Sequence, residues 1–294
     1  MSNMWEEIRP SRLRVLLTYT KRAIRWRRNS APYLSGDLFS DMSDVSMYPP
    51  RFRGKQPDLD SIRAAKVIFC PSDKLQDFFM EFHDAVSARV IICGNSDHEF
   101  KELPENIPGS VKQLFLQNSF ISDHPLVTTL PIGVENFRWG VNGNPRNLTQ
   151  GRNWPDRKNE ILIGPLGLTH PIRLEVRNNF SIPAEGIKLI QNRLEPARYA
   201  RLARETRYVA AIRGNGVDTH RHWETLYRGG IPLILRDAWS DGIKGLRLPF
   251  IEVDAWDAQQ LHLITANHEN LGFNPAQIPA LWWPYWKEII ASYL

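Results

Sequence analysis

The stretch Arg213-Gly-Asn-Gly-Val-Asp-Thr-His-Arg-His-Trp-Glu224, with the run that follows it up to Leu235, decides the fold. Its glycines predict a turn, and the polar segment after them predicts a helix that Asp218 or Thr219 caps by accepting a backbone N–H bond. Gly229-Gly230 ends this helix, because glycine adopts a positive φ at little cost. Ile231-Pro-Leu-Ile-Leu235 is continuously apolar, which predicts a parallel strand covered on both faces.

A loop that leads into the N-terminus of such a helix is a natural anion site, because its free backbone N–H groups point outward. A helix with a purely structural role does not need so many polar side chains around that site. The segment therefore indicates that an anionic ligand binds here. The residues of this predicted binding site are Arg213, Gly214, Asn215, Gly216, Asp218, Thr219, His220, Arg221 and Glu224.

The remainder of the chain alternates strand-like and helix-like segments in two runs. Strands are predicted at 66–70, 88–93, 111–116, 127–132, 160–164, 187–190, 208–212 and 249–253. Helical spacing occurs at 73–86, 171–178 and 196–205. This alternation predicts an α/β protein whose parallel sheets are flanked by helices, in two Rossmann-like domains.

The segment 142–158 is rich in Asn, Gly, Arg and Pro, which favours a linker between the two domains. We therefore expect a basic N-terminal segment (1–30), a first domain (31–141), a second domain (142–277) and a C-terminal helix (278–294). Ligands of parallel sheets lie outside the carboxyl ends of the strands, which predicts one cleft between the domains. The residues that follow strands and are expected around this cleft are Asp97, His98, Asn118, Glu135, Asn136, Thr169, His170 and 215–218.

The composition is that of an ordinary globular chain. Of its 294 residues, 42% are hydrophobic and 23% are charged. It contains neither an apolar run of about 18 residues nor the apolar core of a secretory signal, which favours a cytoplasmic protein. Cys70 and Cys93 lie in apolar strand-like runs and do not make a disulfide framework, so we expect reduced core residues.

The net charge of +5 is concentrated near the N-terminus. Eight Arg and Lys residues between positions 9 and 28 are interleaved with apolar and aromatic residues, a pattern that suits contact with an anionic membrane surface. The alternative is an ordinary surface helix whose apolar stripe packs on the body of the protein. The segment has no nucleic-acid recognition motif, so no nucleic-acid partner is expected.

The run 215–234 resembles the donor-site signature of exostosin-like glycosyltransferases, in particular the branch with ribitol xylosyltransferases and bacterial polysaccharide relatives. A looser match, Tyr33-Leu-Ser-Gly-Asp-Leu-Phe39, resembles an N-terminal Ser-Gly-Asp element of the same enzymes. This resemblance implies the two-domain architecture called GT-B and a nucleotide-sugar donor, most often a UDP-sugar. It also implies that Arg221 and Glu224 serve the donor, with the glutamate on its ribose, and that the C-terminal helix (278–294) packs back on the first domain.

Sugar transfer from a nucleotide donor requires a site for the diphosphate. We assign the diphosphate to the backbone of Gly214, Asn215 and Gly216 together with Arg221 and Arg213, because guanidinium pairs phosphate oxygens in bidentate fashion. Arg173, which follows the first strand of the second domain, is a further candidate. The alternative for each arginine is an ion pair at the surface or between the domains, and the alternative for Glu224 is a pair with Arg221 or His220 on the helix.

The acceptor hydroxyl must lose a proton, and Asp97 and Asp37 are the competing candidates for the general base. Asp97 follows a strand of the first domain, and Asp37 belongs to the Ser-Gly-Asp element. The expected acceptor-binding residues are Ser35, Asp37, His98, Asn118 and Glu135. Trp139 and Trp239 are the candidate platforms for a sugar ring, since aromatic faces stack on sugars.

No metal cofactor is expected, because His220, His222 and Glu224 lack a set of ligands at a metal-binding spacing. The sequence and the resemblance together predict a metal-independent, inverting glycosyltransferase that acts on a hydroxyl of a surface polysaccharide, glycan or lipid-linked glycan. Two alternatives remain: a module that binds a nucleotide sugar or glycan without turnover, and a peripheral membrane adaptor that acts through its basic N-terminus.

Overall fold

A computed structural model describes residues 30–47, 57–139, 143–267 and 271–294. They form an α/β protein with two five-stranded parallel sheets, which is the Rossmann-like class that the sequence predicts. Within these ranges no helix has the length and apolar character that crossing a membrane requires. The basic segment predicted over 1–30 lies outside the described residues except for Ser30, so the membrane contact expected of residues 9–28 stays a prediction.

The first sheet keeps its strands in chain order, and each strand is parallel to the next. Its strands are β1 (Val45–Ser46), β2 (Val67–Pro71), β3 (Val90–Gly94), β4 (Gln113–Gln117) and β5 (Val127–Leu130). The helices of this part of the chain are α1 (Gly36–Met42), α2 (Leu59–Ala64) and α3 (Leu75–Phe82). We call this part of the molecule the first unit.

The chain order of these strands determines which elements cover the first sheet. Right-handed crossovers between successive neighbours place the connecting segments on one face of the sheet. Ile68 and Ile91 pack on that face with Phe79 of α3. Side chains alternate along a strand, so Phe69 and Ile92 point to the opposite face, which must be covered by elements from elsewhere in the chain.

Most of that opposite face is covered by the C-terminal helix α9 (Trp283–Ala291) and by α1. Trp286 is fully buried and meets Phe39 of α1 edge to face, with ring centroids 5.9 Å apart. Its indole N–H donates to the carbonyl of Ala280 at 2.9 Å, which satisfies the one polar group of the side chain. The end of the chain is thus built into the core of the first unit.

The second sheet has the order β10-β9-β8-β6-β7, so its first strand lies inside the sheet. Its strands are β6 (Lys158–Ile163), β7 (Ile187–Leu189), β8 (Thr206–Ala210), β9 (Ile231–Leu235) and β10 (Ile251–Val253). The helices of this second unit are α4 (Pro171–Asn179), α5 (Pro196–Arg204), α6 (His220–Tyr227), α7 (Ala238–Lys244) and α8 (Ala258–Asn267). The strand order reverses between β6 and β8, and ligands of doubly wound sheets bind in the crevice beyond such a reversal.

The predicted linker is more firmly attached than its composition suggests. Residues 143–157 contain two single-turn 3₁₀ helices, Pro145–Asn147 and Trp154–Asp156, and Leu148 is buried in the core. Arg157 is also buried, and its guanidinium donates to the carbonyls of Arg152, Thr206 and Arg228. Burial lowers the pKa of Arg157 to about 10.

The helix α6 ends as predicted, with Gly229 at a φ of +75° directly after the C-cap residue Arg228. Its beginning differs from the prediction. Thr219 is the N-cap, but its side chain makes no capping bond, and Asp218 points elsewhere. The N–H groups of the first turn therefore receive no side-chain cap from either residue.

Candidate functional site

The loops at the carboxyl ends of both sheets meet in a cleft, and hydrogen bonds join the two units across it. The backbone N–H of Asp218 donates to Asn118 Oδ1 at 3.0 Å, and the N–H of Ile132 donates to Asp218 Oδ2 at 2.8 Å. The indole N–H of Trp223 donates to both oxygens of the same carboxylate. Asp218 is only 3% exposed, so we correct its assignment to the donor site: it joins the two units.

Two more predicted site residues have structural roles. Ser35 is fully buried and caps α1 by accepting the N–H of Leu38, while it also receives the hydroxyl of Ser30 at 2.7 Å. Asn118 is fully buried and donates to the carbonyl of Ser96 at 3.2 Å. Neither side chain is open to an acceptor, so both acceptor-binding predictions are corrected.

Side chains of the predicted donor loop also bridge the cleft. Arg213 forms an ion pair with Glu99 of the first unit, and the amide of Asn215 donates to Asp97 Oδ2 at 3.1 Å. For Arg213 the alternative of an ion pair between the units is therefore the one observed. The carboxylate of Asp97 is exposed at the edge of the cleft.

Arg173 and Arg221 lie together at the point where the strand order of the second sheet reverses. Arg173 donates to the carbonyls of Ile212 and Arg213 after β8, at 3.0 and 2.8 Å. Arg221 donates to the carbonyl of Pro165 after β6, at 2.9 Å. Burial and the positive charge of Arg221 lower the pKa of Arg173 to about 10.

No carboxylate of the described residues lies within ion-pair distance of either guanidinium. The Nη1 group of Arg221 is buried and has no hydrogen-bond partner there, and the guanidinium stands 5.5 Å from the ring centre of Tyr199. Two neighbouring cations without a counter-charge are costly, because each loses hydration and repels the other. The arrangement suits a bound anion that supplies the missing negative charge.

Glu224 lies on the same helix, but its carboxylate is engaged. It forms a buried ion pair with Arg228 at 3.1 Å, one helical turn further along, rather than with Arg221 or His220. Its side chain is 8% exposed. The predicted contact with a ribose would therefore require a change in this pair.

The glycines of the loop leave space that a side chain would fill. A Cβ atom on Gly214 would lie 3.0 Å from Nη2 of Arg173, and one on Gly216 would lie 2.7 Å from Nδ2 of Asn118. The backbone of residues 214–216 can therefore approach both the arginine pair and the first unit. Thr219, at the end of this loop, has a buried hydroxyl with no partner among the described residues.

A cavity of about 230 Å³ opens beside this loop on the side of the first unit. Its walls are polar and apolar in equal parts, with the half-exposed indole of Trp139 at one edge. The lining residues that carry polar or charged side chains are Asn95, Ser96, Asp97, Gln117, Asn136, Arg138 and His220. None of the five residues predicted to bind the acceptor lines this cavity. It instead brings Asp97, Asn136 and Trp139 of the first unit close to His220, which the sequence predicts to bind the donor.

Asp37 lies behind the wall of this cavity, where its carboxylate is already neutralised. It forms a buried ion pair with Arg138 and accepts a bond from the amide of Asn95 at 3.4 Å. Its own N–H donates to Asn136 Oδ1 at 2.7 Å. A carboxylate held in this way is a poor proton acceptor, so the prediction that Asp37 acts as general base is corrected.

Two other predicted acceptor residues lie away from the cavity. His98 lines a separate groove of about 490 Å³ with Ser72 and Gln76, and its ring stands edge to face with Phe100. Glu135 accepts the N–H of Gly143 at 3.3 Å, while its neighbour Asn136 lines the cavity.

Asn95, Arg138 and Tyr199 are site residues that sequence reasoning did not find. Asn95 directly follows β3 and has a φ of +55°, so the rule on strand ends was sufficient to find it. No local sequence pattern identifies Arg138 and Tyr199 as site residues, because they reach the cleft from a 3₁₀ turn and from α5 rather than from the end of a strand.

No group of three His, Cys, Asp or Glu side chains suited to a metal ion occurs in the described ranges. His222 is fully buried among Trp223, Trp239 and Phe250, so it does not share a face with His220. Trp239 is itself only 2% exposed, so the prediction that its ring stacks on a sugar is corrected.

No protein-family model matches this sequence, and no curated protein matches it. An assignment of function therefore depends on the geometry of the cleft and on the resemblance of residues 215–234.

Proposed function

We propose that this protein is a glycosyltransferase of the GT-B architecture, which moves a sugar from a nucleotide-sugar donor to a hydroxyl of a glycan. The observation that carries the proposal is the pair Arg173 and Arg221, two close guanidiniums for which the described residues supply no carboxylate partner. They lie at the reversal of strand order in the second sheet, where doubly wound sheets bind phosphate-bearing ligands. A diphosphate supplies the negative charge that the pair lacks.

The shape of the loop supports a diphosphate rather than a smaller anion. The backbone of residues 214–216 faces Arg173 on one side, and the uncapped first turn of α6 follows directly. A chain of two phosphates is long enough to contact a guanidinium pair and a helix N-terminus together. The resemblance to exostosin-like enzymes favours a UDP-sugar as the donor.

The cavity beside the loop supports an acceptor rich in hydroxyl groups. Its amide and hydroxyl side chains suit hydrogen bonds to a sugar, and Trp139 offers a ring face. With the acceptor on one side of the transferred sugar and the diphosphate on the other, a single displacement that inverts the anomeric carbon is the simplest reaction. Arg221 and Arg173 then stabilise the leaving diphosphate, which removes the need for a metal ion.

The experiment is a thermal-shift screen with UDP, GDP, CMP and their sugar conjugates, followed by an assay for nucleotide release. We expect one nucleotide diphosphate to raise the melting temperature, because a ligand that binds only the folded state stabilises it. We expect its sugar conjugate to be hydrolysed slowly when water replaces the acceptor. Binding without any release, with added glycans as well, would instead identify a binding module. Absence of binding by every nucleotide would refute the proposal.

A further inference from the structure

His220 connects the two units through one ring nitrogen. It is the first residue of α6, and its Nδ1 lies 2.8 Å from the carbonyl oxygen of Gly133 in the first unit. A carbonyl oxygen only accepts hydrogen bonds, so Nδ1 must carry the proton in this contact. In the neutral imidazole the other nitrogen, Nε2, then has a free lone pair.

The same side chain lines the cavity of about 230 Å³. Among the described residues no atom forms a hydrogen bond with Nε2. The next residue along the helix, Arg221, extends to the other side, toward Pro165 and Arg173. The side chain of His220 therefore faces the cavity, and that of its neighbour Arg221 faces Arg173. This places His220 between the cavity and the arginine pair.

We propose that His220 is the general base, a catalytic residue that takes the proton of the acceptor hydroxyl through Nε2; this inference rests on the proposed function. As the hydroxyl oxygen bonds to the anomeric carbon, its proton passes to Nε2. The bond from that carbon to the diphosphate oxygen breaks, and its electron pair leaves with the nucleoside diphosphate. The imidazole becomes imidazolium, and Gly133 holds the ring throughout.

The carboxylates near the cavity are less suited to this role. Asp37 is paired with Arg138, and Asp97 is exposed and accepts the amide of Asn215. The charged groups that face the cavity with His220 are therefore Asp97 from the loop after β3 and Arg138 from the turn that follows β5.

The first test reads the proton position in the free protein, without any substrate. Protein labelled with ¹⁵N-histidine distinguishes the two tautomers by NMR, and the His220 signal is identified by its loss in His220→Asn. We expect the tautomer with the proton on Nδ1. A proton on Nε2 would overturn the proposal, because that nitrogen would then have no lone pair for the acceptor.

The second test uses His220→Asn in the nucleotide-release assay. Asparagine places an amide N–H where Nδ1 was, so it keeps the bond to Gly133 and removes only the base. We expect unchanged UDP affinity and melting temperature, with turnover lower by about 10²- to 10⁴-fold. The loss of activity at acidic pH that protonation of a base causes should also disappear. His83→Asn, at an exposed histidine outside the cleft, is the matched control.

Two results would separate this inference from the proposed function. If His220→Asn keeps turnover within tenfold of wild type while Asp97→Asn abolishes it, Asp97 is the base and the proposal for His220 is wrong. If wild-type protein neither binds nor hydrolyses any nucleotide sugar, the proposed function fails, and the catalytic role of His220 fails with it.

Discussion

The indole N–H of Trp223 donates to both carboxylate oxygens of Asp218, at 2.8 and 3.1 Å, in the interior between the two units. One of these oxygens also accepts the N–H of Ile132 in the first unit. Asp218, which the sequence predicts as a helix cap, thus fixes the position of α6 relative to the first sheet. Because α6 begins with His220 and Arg221, the same contact sets the geometry of the proposed reaction.

The buried carboxylate of Asp218 predicts a pH-dependent stability. Burial raises its pKa to about 7, above the ordinary value of an aspartate, although the N–H groups of Ile132, Trp223 and Thr219 that donate to it act in the opposite direction. Between about pH 4 and 7 the carboxyl is protonated in the folded state but ionised in the unfolded chain. The free energy of unfolding therefore falls as the pH rises from about 4 to 7. The contribution is at most about 4 kcal/mol.

Asp218→Asn removes this titration. The free energy of unfolding of the wild type, minus that of the variant, should therefore shrink from about pH 4 to 7 and stay level above it. Urea unfolding over this range measures the difference. A difference that grows with pH would show that the carboxylate is stabilised in its charged form.

His222→Phe is expected to stabilise the protein. Both ring nitrogens of His222 are buried without a partner in the described residues, and the ring is enclosed by Trp223, Trp239 and Phe250. An aromatic ring without polar atoms removes an unsatisfied group, for a gain of about 1–3 kcal/mol.

The gain from His222→Phe should increase in acid. Burial lowers the pKa of His222 to about 3. Below about pH 6.5 the unfolded chain therefore binds a proton at this residue that the folded state does not bind, which lowers the stability of the wild type in acid. Thermal unfolding at about pH 5 and 8 tests this. An equal gain at both pH values would show that the folded state binds the proton as readily as the unfolded chain. A destabilised variant would show that the ring nitrogens make favourable contacts in the folded protein.

Arg221→Ala and Arg173→Ala should each weaken the binding of a nucleotide diphosphate by about tenfold or more, since each removes a charge-assisted contact. Neither change leaves a carboxylate unpaired among the described residues, so the fold should remain stable. Calorimetry with UDP measures the affinity, and Arg198→Ala, at an exposed arginine of α5, is the control. Equal affinity in all three variants would remove the arginine pair from the donor site.

Gly133→Ala should destabilise the protein by more than about 2 kcal/mol. Gly133 has a φ of +65°, and a Cβ atom there would lie 2.2 Å from the carbonyl oxygen of Leu34. Gly167 is the matched control, because a Cβ atom at that position meets nothing within 4 Å. The free energies of unfolding of the two alanine variants, measured in urea, should differ clearly. Equal values would mean that the backbone at Gly133 and Leu34 shifts to accept the added methyl group at little cost.

Much of the fold could be predicted because it depends on local patterns. Continuous apolar runs such as Ile231–Leu235 predict buried parallel strands. Gly229 marks the end of α6 because the chain adopts a positive φ there, which glycine allows at little cost. Local patterns do not determine which distant element fills an open face of a sheet, and the expectation that the C-terminal helix packs on the first domain comes from the family resemblance. The contact between Trp286 and Phe39 joins residues far apart in the chain, and no local spacing encodes it.

The candidate site could be predicted less well, for a related reason. The rule on strand ends located the cleft, but it does not distinguish a side chain that faces a ligand from one that holds the units together. Asp218 and Asn118 follow strands and are polar, yet both are buried in contacts between the units. Arg173 and Arg221 differ from the buried arginines in their surroundings. Arg138 and Arg228 pair with carboxylates, and Arg157 donates to three backbone carbonyls, whereas Nη1 of Arg221 has no partner among the described residues.

The position of α9 on the first sheet has a consequence for how the chain folds during synthesis. The strands of the first unit leave the ribosome early, but the part of the sheet face that α9 covers stays open until residues 283–291 have been translated. Phe115, whose ring meets that of Tyr293 edge to face, lacks this cover while the whole second unit is made. The nascent chain exposes an apolar surface during that interval, and association with chaperones or with other nascent copies then competes with native packing.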